Sequence, residues 1–202
     1  MDKYTSYDPD FDVLKEKGHW DDHTREIVEK RLQVDRRTYQ FFTEEEADSL
    51  LHLCKVLVDD DRAEIIAFVV HHFDTKLQAN FGEAQRKVGV PAEAVLLRDG
   101  LKLLNQMCHE TYKKKFPQLD QTTKQKIVGD LVQGNLQLQV GTASVPAKDF
   151  INKVMVETVS AYYSHPFVWS EIGYAGPAYP RGYVRTEWGL TDPWEAKREG
   201  KR

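Results

Sequence analysis

Cysteine and long apolar runs are scarce in this chain, and each absence excludes a class of protein. Only Cys54 and Cys108 occur among the 202 residues, so the chain cannot build a disulfide framework, and the two thiols form no Cys-x-x-Cys pair. The longest apolar run, from Ile65 to Val70, spans six residues, whereas a membrane-spanning helix needs roughly 20. We therefore expect buried free thiols in a reducing cytoplasm and no membrane span.

The sequence also lacks the short motifs that hold nucleotides. It contains neither Gly-x-Gly-x-x-Gly nor Gly-x-x-x-x-Gly-Lys-Ser/Thr, the two glycine-rich loops that bind phosphate groups. Its formal net charge of -4 gives no concentrated positive field for DNA or RNA. The first residues are acidic and include no apolar stretch of the kind a secretory signal needs. These absences predict no cofactor in this chain, no nucleic-acid partner and a cytoplasmic location.

Helical periodicity is the main pattern that is present. Thr43 and Glu46 mark the best-defined helix start, a capping box in which each side chain bonds the other residue's backbone. Asp59–Asp61 are placed to cap a later helix and Gly134 to end another. Leu136–Val140 alternates like a short strand that has no partner. Apolar residues recur at helical spacing in six segments, which are residues 22–37, 43–58, 65–77, 91–116, 127–132 and 146–164.

The composition changes near residue 162. Residues 162–194 hold nine of the 22 aromatic residues, together with prolines and glycines that prevent a long helix. The predicted fold class is all-α, an irregular helical domain of about six helices with an extended C-terminal tail rich in aromatics, proline and glycine. We predict an N-terminal arm at residues 1–20, a helical domain at 21–164 and a tail at 165–202 that wraps either a partner or the domain itself.

Two candidate chemical sites come from histidine and cysteine. His19 and His23 are four residues apart, a spacing that would place two metal ligands on one helix face, and the simpler interpretation is a solvated N-terminal stretch. Cys108 adjoins His109, but sequence neighbours on a helix do not face each other. We predict no metal site and no catalytic residue. The alternative is an independent helical enzyme with a metal or acid-base site.

His165 is the histidine with the strongest claim to a role. It ends a helical run and precedes Pro166, so we expect it to cap the C-terminus of that helix and pack there, where the helix dipole favours a protonated imidazole. Contact with a partner subunit or its active site is the alternative. Glu171 stands without a second acid in the early tail, so it cannot form an acid-base pair there. An ion pair with an arginine, or a bond to a backbone donor, is predicted for it.

The tail carries a set of residues that identifies a family. The set runs His165-Pro166, Trp169, Glu171-Ile172-Gly173, Gly176-Pro177 and Tyr179-Pro180-Arg181-Gly182-Tyr183. The segment Phe41–Ala47, with Leu51, Cys54 and Leu57 behind it, and the stretch from Gly100 to Gln125 complete the pattern. Over residues 38 to 184 or so, the chain resembles the gluconate 2-dehydrogenase subunit 3 family.

The resemblance implies a small accessory subunit without catalytic residues. Its large partner would resemble the glucose-methanol-choline oxidoreductases, carry FAD and oxidise an alcohol group of a sugar, sugar acid or polyol. Electrons would often pass on to a haem-bearing subunit. Many members carry a twin-arginine export signal, which this sequence lacks, so stabilisation of a cytoplasmic partner is expected here. A scaffold protein with another partner is the remaining alternative.

The tail is the predicted contact surface, because aromatic and arginine side chains on an irregular segment are typical of interface anchors. If it docks on the flavoprotein, Trp169→Ala weakens assembly. If it closes the chain's own core, the same change lowers folding stability instead. The residues assigned to the partner interface are His165, Pro166, Trp169, Glu171, Gly173, Tyr174, Gly176, Pro177, Tyr179, Pro180, Arg181, Gly182 and Tyr183.

Overall fold

A computed structural model describes residues 8–33, 38–79, 86–185 and 191–196. The described residues are mainly helical, and the predicted all-α class is confirmed. The helices are α1 (Asp22–Lys30), α2 (Glu44–Val58), α3 (Ala63–Gln78), α4 (Glu93–Tyr112), α5 (Gln121–Gln133), α6 (Ala147–Tyr162) and α7 (Pro166–Ile172), with 3-10 helices at Val13–His19 and Phe116–Gln118. The strands are β1 (Leu138–Val140) and β2 (Ala143–Val145).

The chain divides into two compact units. The central unit is residues 35–161, and the terminal unit combines residues 1–34 with residues 162–202. This division differs from the predicted order of arm, domain and tail, because the N-terminal residues group with the tail. The difference arises from apolar side chains that the first residues contribute, since Val13 and Trp20 are both buried.

The start of α2 in the central unit follows the predicted capping box. Thr43 Oγ1 accepts a hydrogen bond from the backbone N–H of Glu46 at 3.2 Å, and Glu46 Oε2 accepts one from the N–H of Thr43 at 2.8 Å. The loop before this helix is held by the buried Asp74 of α3. Its carboxylate accepts the backbone N–H groups of residues 40, 41 and 42 at 2.8, 2.9 and 3.0 Å. The capping box and Asp74 together fix where α2 begins.

The start of α3 differs from the prediction. Its N-cap residue is Arg62, which makes no side-chain capping bond, so the acidic run precedes the N-cap position. Asp59 instead ends α2 in a left-handed conformation with φ of 50°. The buried Asp60 accepts a bond from the backbone N–H of Arg62 at 2.8 Å and pairs with its guanidinium group at 2.5 Å. The acidic run therefore shapes the turn between the helices.

Helix α4 is shorter than predicted and packs closely on α6. It ends at Tyr112 because Lys113 adopts a left-handed conformation with φ of 58°, four residues before Pro117. Gly100, in the middle of α4, faces the ring of the buried Phe150. A Cβ atom at this position would lie less than 3.0 Å from that ring. The glycine is therefore a packing requirement of the central unit.

The predicted lone strand has a partner after all. Strand β1 pairs antiparallel with β2, with Leu138 opposite Val145 and Val140 opposite Ala143. Gly141, with φ of 59°, lies in the turn between them. Ala143–Val145 was overlooked because three residues are too few to show an alternating pattern. Helix α5 ends at Gly134 as predicted, with φ of 80°.

In the terminal unit, the N-terminal residues are ordered by local caps. Asp12 accepts from the N–H of Leu14 at the start of the first 3-10 helix, and Asp21 accepts from Thr24 at the start of α1. Helix α1 ends at Lys30, so the predicted helix over residues 22–37 is too long, and residues 34–37 lie outside the described residues. Residues 8–20, which were predicted to belong to an N-terminal arm, thus include a defined helical segment.

Candidate functional site

Helix α7 begins the tail, which is therefore not extended throughout. His165 is its N-cap residue, and Nδ1 of the imidazole accepts a hydrogen bond from the backbone N–H of Phe167 at 3.2 Å. An accepting nitrogen carries no proton, so this geometry requires the neutral imidazole. The expected protonated ring is therefore wrong, and His165 begins a new helix because Pro166 follows at a position where its missing N–H is not needed. His165 is buried and is not part of the surface.

Trp169 is a core residue of its own unit. Only 5% of its surface is exposed, and it clusters with Val13, Trp20 and Val28. Its indole Nε1 donates to the carbonyl oxygen of Tyr163 at 2.6 Å. Trp169 cannot meet a partner without leaving this core, so its placement as a surface anchor is corrected. Pro166 is buried as well, so its predicted place at the partner surface is corrected for the same reason.

Arg31 covers one side of the Trp169 ring. Its guanidinium carbon lies 5.3 Å from the ring centroid, and Nη1 donates to the carbonyl oxygen of Ser164 at 2.7 Å. Burial lowers the pKa of Arg31, although the guanidinium remains a cation at neutral pH. The residue therefore joins α1 to the start of the tail by a hydrogen bond and a cation–π contact.

Three glycines of the tail adopt positive φ angles. Gly173 ends α7 with φ of 75°, and Gly176 and Gly182 follow with φ of 79° and 70°. A Cβ atom on Gly176 would lie 2.7 Å from Cζ2 of Trp20. Gly176 therefore permits a close approach within the chain, where approach to a partner was expected. Gly182 has no such neighbour within 4 Å and is exposed.

Arg181 is also used inside the terminal unit. Its Nη2 donates to the carbonyl oxygen of Ala175 at 2.5 Å, and its guanidinium carbon lies 4.9 Å from the ring centroid of Trp194. Burial lowers its pKa, while the nearby Glu16 acts in the opposite direction. These contacts fix the path of the tail, so Arg181 holds the loop in shape where a partner carboxylate was expected.

Three tyrosines of the described part of the tail are exposed, and we call them the tyrosine face. Tyr174, Tyr179 and Tyr183 are 41%, 70% and 68% exposed. Pro180 lies between the last two and is exposed as well. Burial of part of the Tyr174 ring raises its pKa, as does the neighbouring Tyr183. These are the predicted interface residues that the structure leaves accessible.

Three further apolar residues of the tail are exposed and were not among the predicted interface residues. Phe167, Ile172 and Val184 are 41%, 48% and 64% exposed. The exposure of Phe167 and Ile172 depends on α7, whose Trp169 side is buried, and a tail treated as extended gives no such faces. The signal that could have found the helix is Pro166 at its first position. The other predicted interface residues, Glu171, Gly173 and Pro177, are half-buried.

Asp192 holds the end of the tyrosine face. This buried carboxylate accepts the backbone N–H groups of Val184 and Arg185 at 3.0 and 2.8 Å. Glu195 in turn accepts the N–H of Asp192 at 2.8 Å. The segment after the tyrosines is thereby held to residues 191–196 by hydrogen bonds from its backbone N–H groups to the Asp192 side chain.

The central unit holds a paired-carboxylate cluster of its own. Lys76 Nζ lies 3.0 Å from Glu93 and 2.5 Å from Glu157, and Lys153 Nζ lies 3.0 Å from Glu93. Burial acts to lower the pKa of Lys76, but its bonds to the two carboxylates outweigh that effect and raise the pKa overall. Both carboxylates are thus held in ion pairs that join α3, α4 and α6. This arrangement stabilises the helices and does not present an acid and a base to a substrate.

The thiols and the histidine pair give no reactive site in the described residues. Burial raises the pKa of Cys54 and of Cys108 to about 12, so neither is a thiolate at neutral pH. His19 lies in a 3-10 helix and His23 in α1, so the two do not share one helix face. Among the residues that the structure describes, no group of three or more His, Cys, Asp or Glu side chains is placed to hold a metal ion.

The chain is thus a helical protein with buried, ion-paired polar groups and an exposed aromatic tail surface. A model of the gluconate 2-dehydrogenase subunit 3 family matches residues 44–176, which is more than half of the chain. The chain belongs to this family, whose name denotes a subunit of an oxidoreductase complex. No curated protein and no solved structure matches the chain. Within the described residues, no helix is both long and apolar enough to cross a membrane.

Proposed function

We propose that this chain is a non-catalytic small subunit that stabilises or assembles an FAD-dependent dehydrogenase. The large subunit would resemble the glucose-methanol-choline oxidoreductases and oxidise an alcohol group of a sugar, polyol or sugar acid. FAD is bound by that partner, and a haem-bearing subunit is the proposed electron acceptor. Membership of the subunit 3 family supports the assignment to a complex. The two buried free thiols are compatible with work in the reducing cytoplasm.

The observation that carries the proposal is the tyrosine face. Tyrosine side chains supply large contact areas and polar tips at a low cost in conformational entropy. Tyr179 and Tyr183 are each about two-thirds exposed in the chain alone, and leaving aromatic surface in water is unfavourable. Contact with a protein partner would remove that surface from water.

The loop that carries these tyrosines is held before any partner arrives. Arg181 bonds the carbonyl oxygen of Ala175, and Asp192 bonds the backbone after Tyr183. A loop that is already ordered loses less entropy when it docks. The buried Trp169 and the half-buried Arg181 of the predicted interface therefore contribute to docking by shaping the loop.

The test is co-expression with a glucose-methanol-choline-type flavin dehydrogenase from the same genome, followed by co-purification and a flavin absorbance spectrum. We expect the wild type to retain a yellow partner, and a Tyr179→Ala/Tyr183→Ala variant to lower the affinity about 10-fold or more. Tyr112→Ala is the matched control, because Tyr112 is a 39% exposed tyrosine of the central unit. Equal recovery of flavoprotein with the double variant and the wild type would remove the proposal.

A further inference from the structure

The N-terminal residues before the family match contact the tail directly. The matched region starts at residue 44, yet Val13, Trp20 and Val28 share one buried cluster with Trp169 of α7. The backbone N–H of Val13 donates to Ser170 Oγ at 3.1 Å. All of these residues belong to the terminal unit. The core beneath the tail is therefore built largely from residues outside the matched region.

Trp20 touches the tail at the point where the tyrosine face begins. Its ring lies against Gly176, two residues after Tyr174, so closely that a Cβ atom on the glycine would be 2.7 Å away. Trp20 is 3% exposed. Its position therefore restricts the backbone between Tyr174 and Tyr179.

Trp169, which packs against the N-terminal segment, also contacts the side chain of Tyr174. The two rings meet edge to face, with centroids 5.4 Å apart and an interplanar angle of 83°. Arg31, the C-cap residue of α1, lies over the ring of Trp169 at 5.3 Å from its centroid. The N-terminal segment thus orients Trp169, and Trp169 orients Tyr174.

A third contact reaches the last part of the tail. The ring of His19 lies 6.4 Å from that of Trp194, and Trp194 stacks on the guanidinium group of Arg181. Arg181 is the residue that bonds Ala175 and so closes the loop bearing Tyr179. The N-terminal residues therefore contact Gly176, Trp169 and Trp194, and Trp194 in turn contacts Arg181.

We propose that residues 8–33 act as an intramolecular clamp that pre-forms the tyrosine face for the large flavin subunit. The inference rests on the proposed function and adds a positioning role for residues that need not touch the partner. Trp20 is its central residue. Without the clamp, the loop from 174 to 185 would have to be ordered at the moment of docking, and the lost entropy would weaken binding.

The first measurement uses the full-length chain alone. Hydrogen exchange of the 174–185 backbone is compared in the wild type, Trp20→Ala and Ile27→Ala. Ile27 lies in the same N-terminal segment but is 42% exposed, so Ile27→Ala is the matched control. We expect faster exchange over 174–185 in Trp20→Ala only, with exchange in the central unit unchanged. Wild-type exchange in Trp20→Ala would overturn the clamp.

The second measurement is the affinity of the same variants for the large flavin subunit. Trp20→Ala should lower it on the order of 10-fold, because the tail must then be ordered on docking. Val28→Ala is a milder variant for the case in which Trp20→Ala fails to fold, and it should show both effects in weaker form. Faster exchange with wild-type affinity would overturn the positioning role. If the wild type itself does not bind, the proposed function fails, and the exchange measurement alone then decides whether the clamp exists.

Discussion

The central and terminal units gain their stability from contacts at different distances along the chain. The central unit is one continuous stretch, residues 35–161, whereas the terminal unit needs two segments separated by all of that stretch. The bond from Val13 to Ser170 joins residues 157 positions apart, and the bond from Arg31 to Ser164 joins residues 133 apart. The terminal unit therefore depends on both segments at once. A change in either one should loosen the whole unit, while a change in the central unit should act through a particular helix contact.

The largest expected effect is on the terminal unit. Trp169→Ala should cost about 3–5 kcal/mol of its stability, because it removes a buried tryptophan from a small core. Hydrogen exchange measured separately over the two units checks this. Tyr179→Ala is the control and should change stability by less than about 0.5 kcal/mol, since the side chain is 70% exposed. Equal destabilisation of both units by Trp169→Ala would show that they do not respond independently.

Two glycine-to-alanine substitutions test the helix packing of the central unit. Gly100→Ala should destabilise it by about 1–3 kcal/mol, because the new methyl group meets the ring of Phe150. Gly129→Ala is the matched change in α5, where a Cβ atom meets nothing within 4 Å. It should stabilise the chain by up to about 1 kcal/mol through helix propensity. Thermal unfolding of both variants gives the comparison, and a neutral Gly100→Ala would contradict the packing of Phe150.

Alkaline pH should weaken the central unit through Cys54. Burial raises the pKa of this thiol from 9.0 to about 12, so between these values the folded state holds a proton that the unfolded state has lost. Stability therefore falls as pH rises through that window, by on the order of 1 kcal/mol at pH 10. Cys54→Ala removes this contribution, so its free energy of unfolding should fall less between pH 8 and pH 10. Parallel pH profiles for variant and wild type would contradict the raised pKa.

The smallest expected effect is at the start of α2. Thr43→Ala removes the side-chain half of the capping box and should cost about 1 kcal/mol. Because the cap is local, exchange should increase in the first turn of α2 and remain unchanged in the terminal unit. Chemical denaturation together with hydrogen exchange measures both. A loss several times larger would indicate that the cap also supports the loop held by Asp74.

The sequence predicted the central unit better than the terminal one, for a physical reason. The capping box of α2 and the left-handed end of α5 at Gly134 are set by residues a few positions apart, so they are visible in the sequence. The partner of β1 was missed because its register depends on a three-residue strand. The burial of Trp169 was one of two predicted alternatives, and the sequence could not decide between them because the burial depends on Val13 and Trp20, which lie far away in the chain.

The joining of distant segments in the terminal unit also sets an order of events during synthesis. Residues 8–33 leave the ribosome first, but the α7 residues that they cover are made only after the whole central unit. Closing a loop costs less entropy when the residues within it are already compact, so we expect the central unit to fold first. A chain that stops before Trp169 would then contain a folded central unit and an N-terminal segment with no tail to cover. Completion of the polypeptide would in this way be a condition for presenting the tyrosine face, and unfinished copies would be kept out of the dehydrogenase complex.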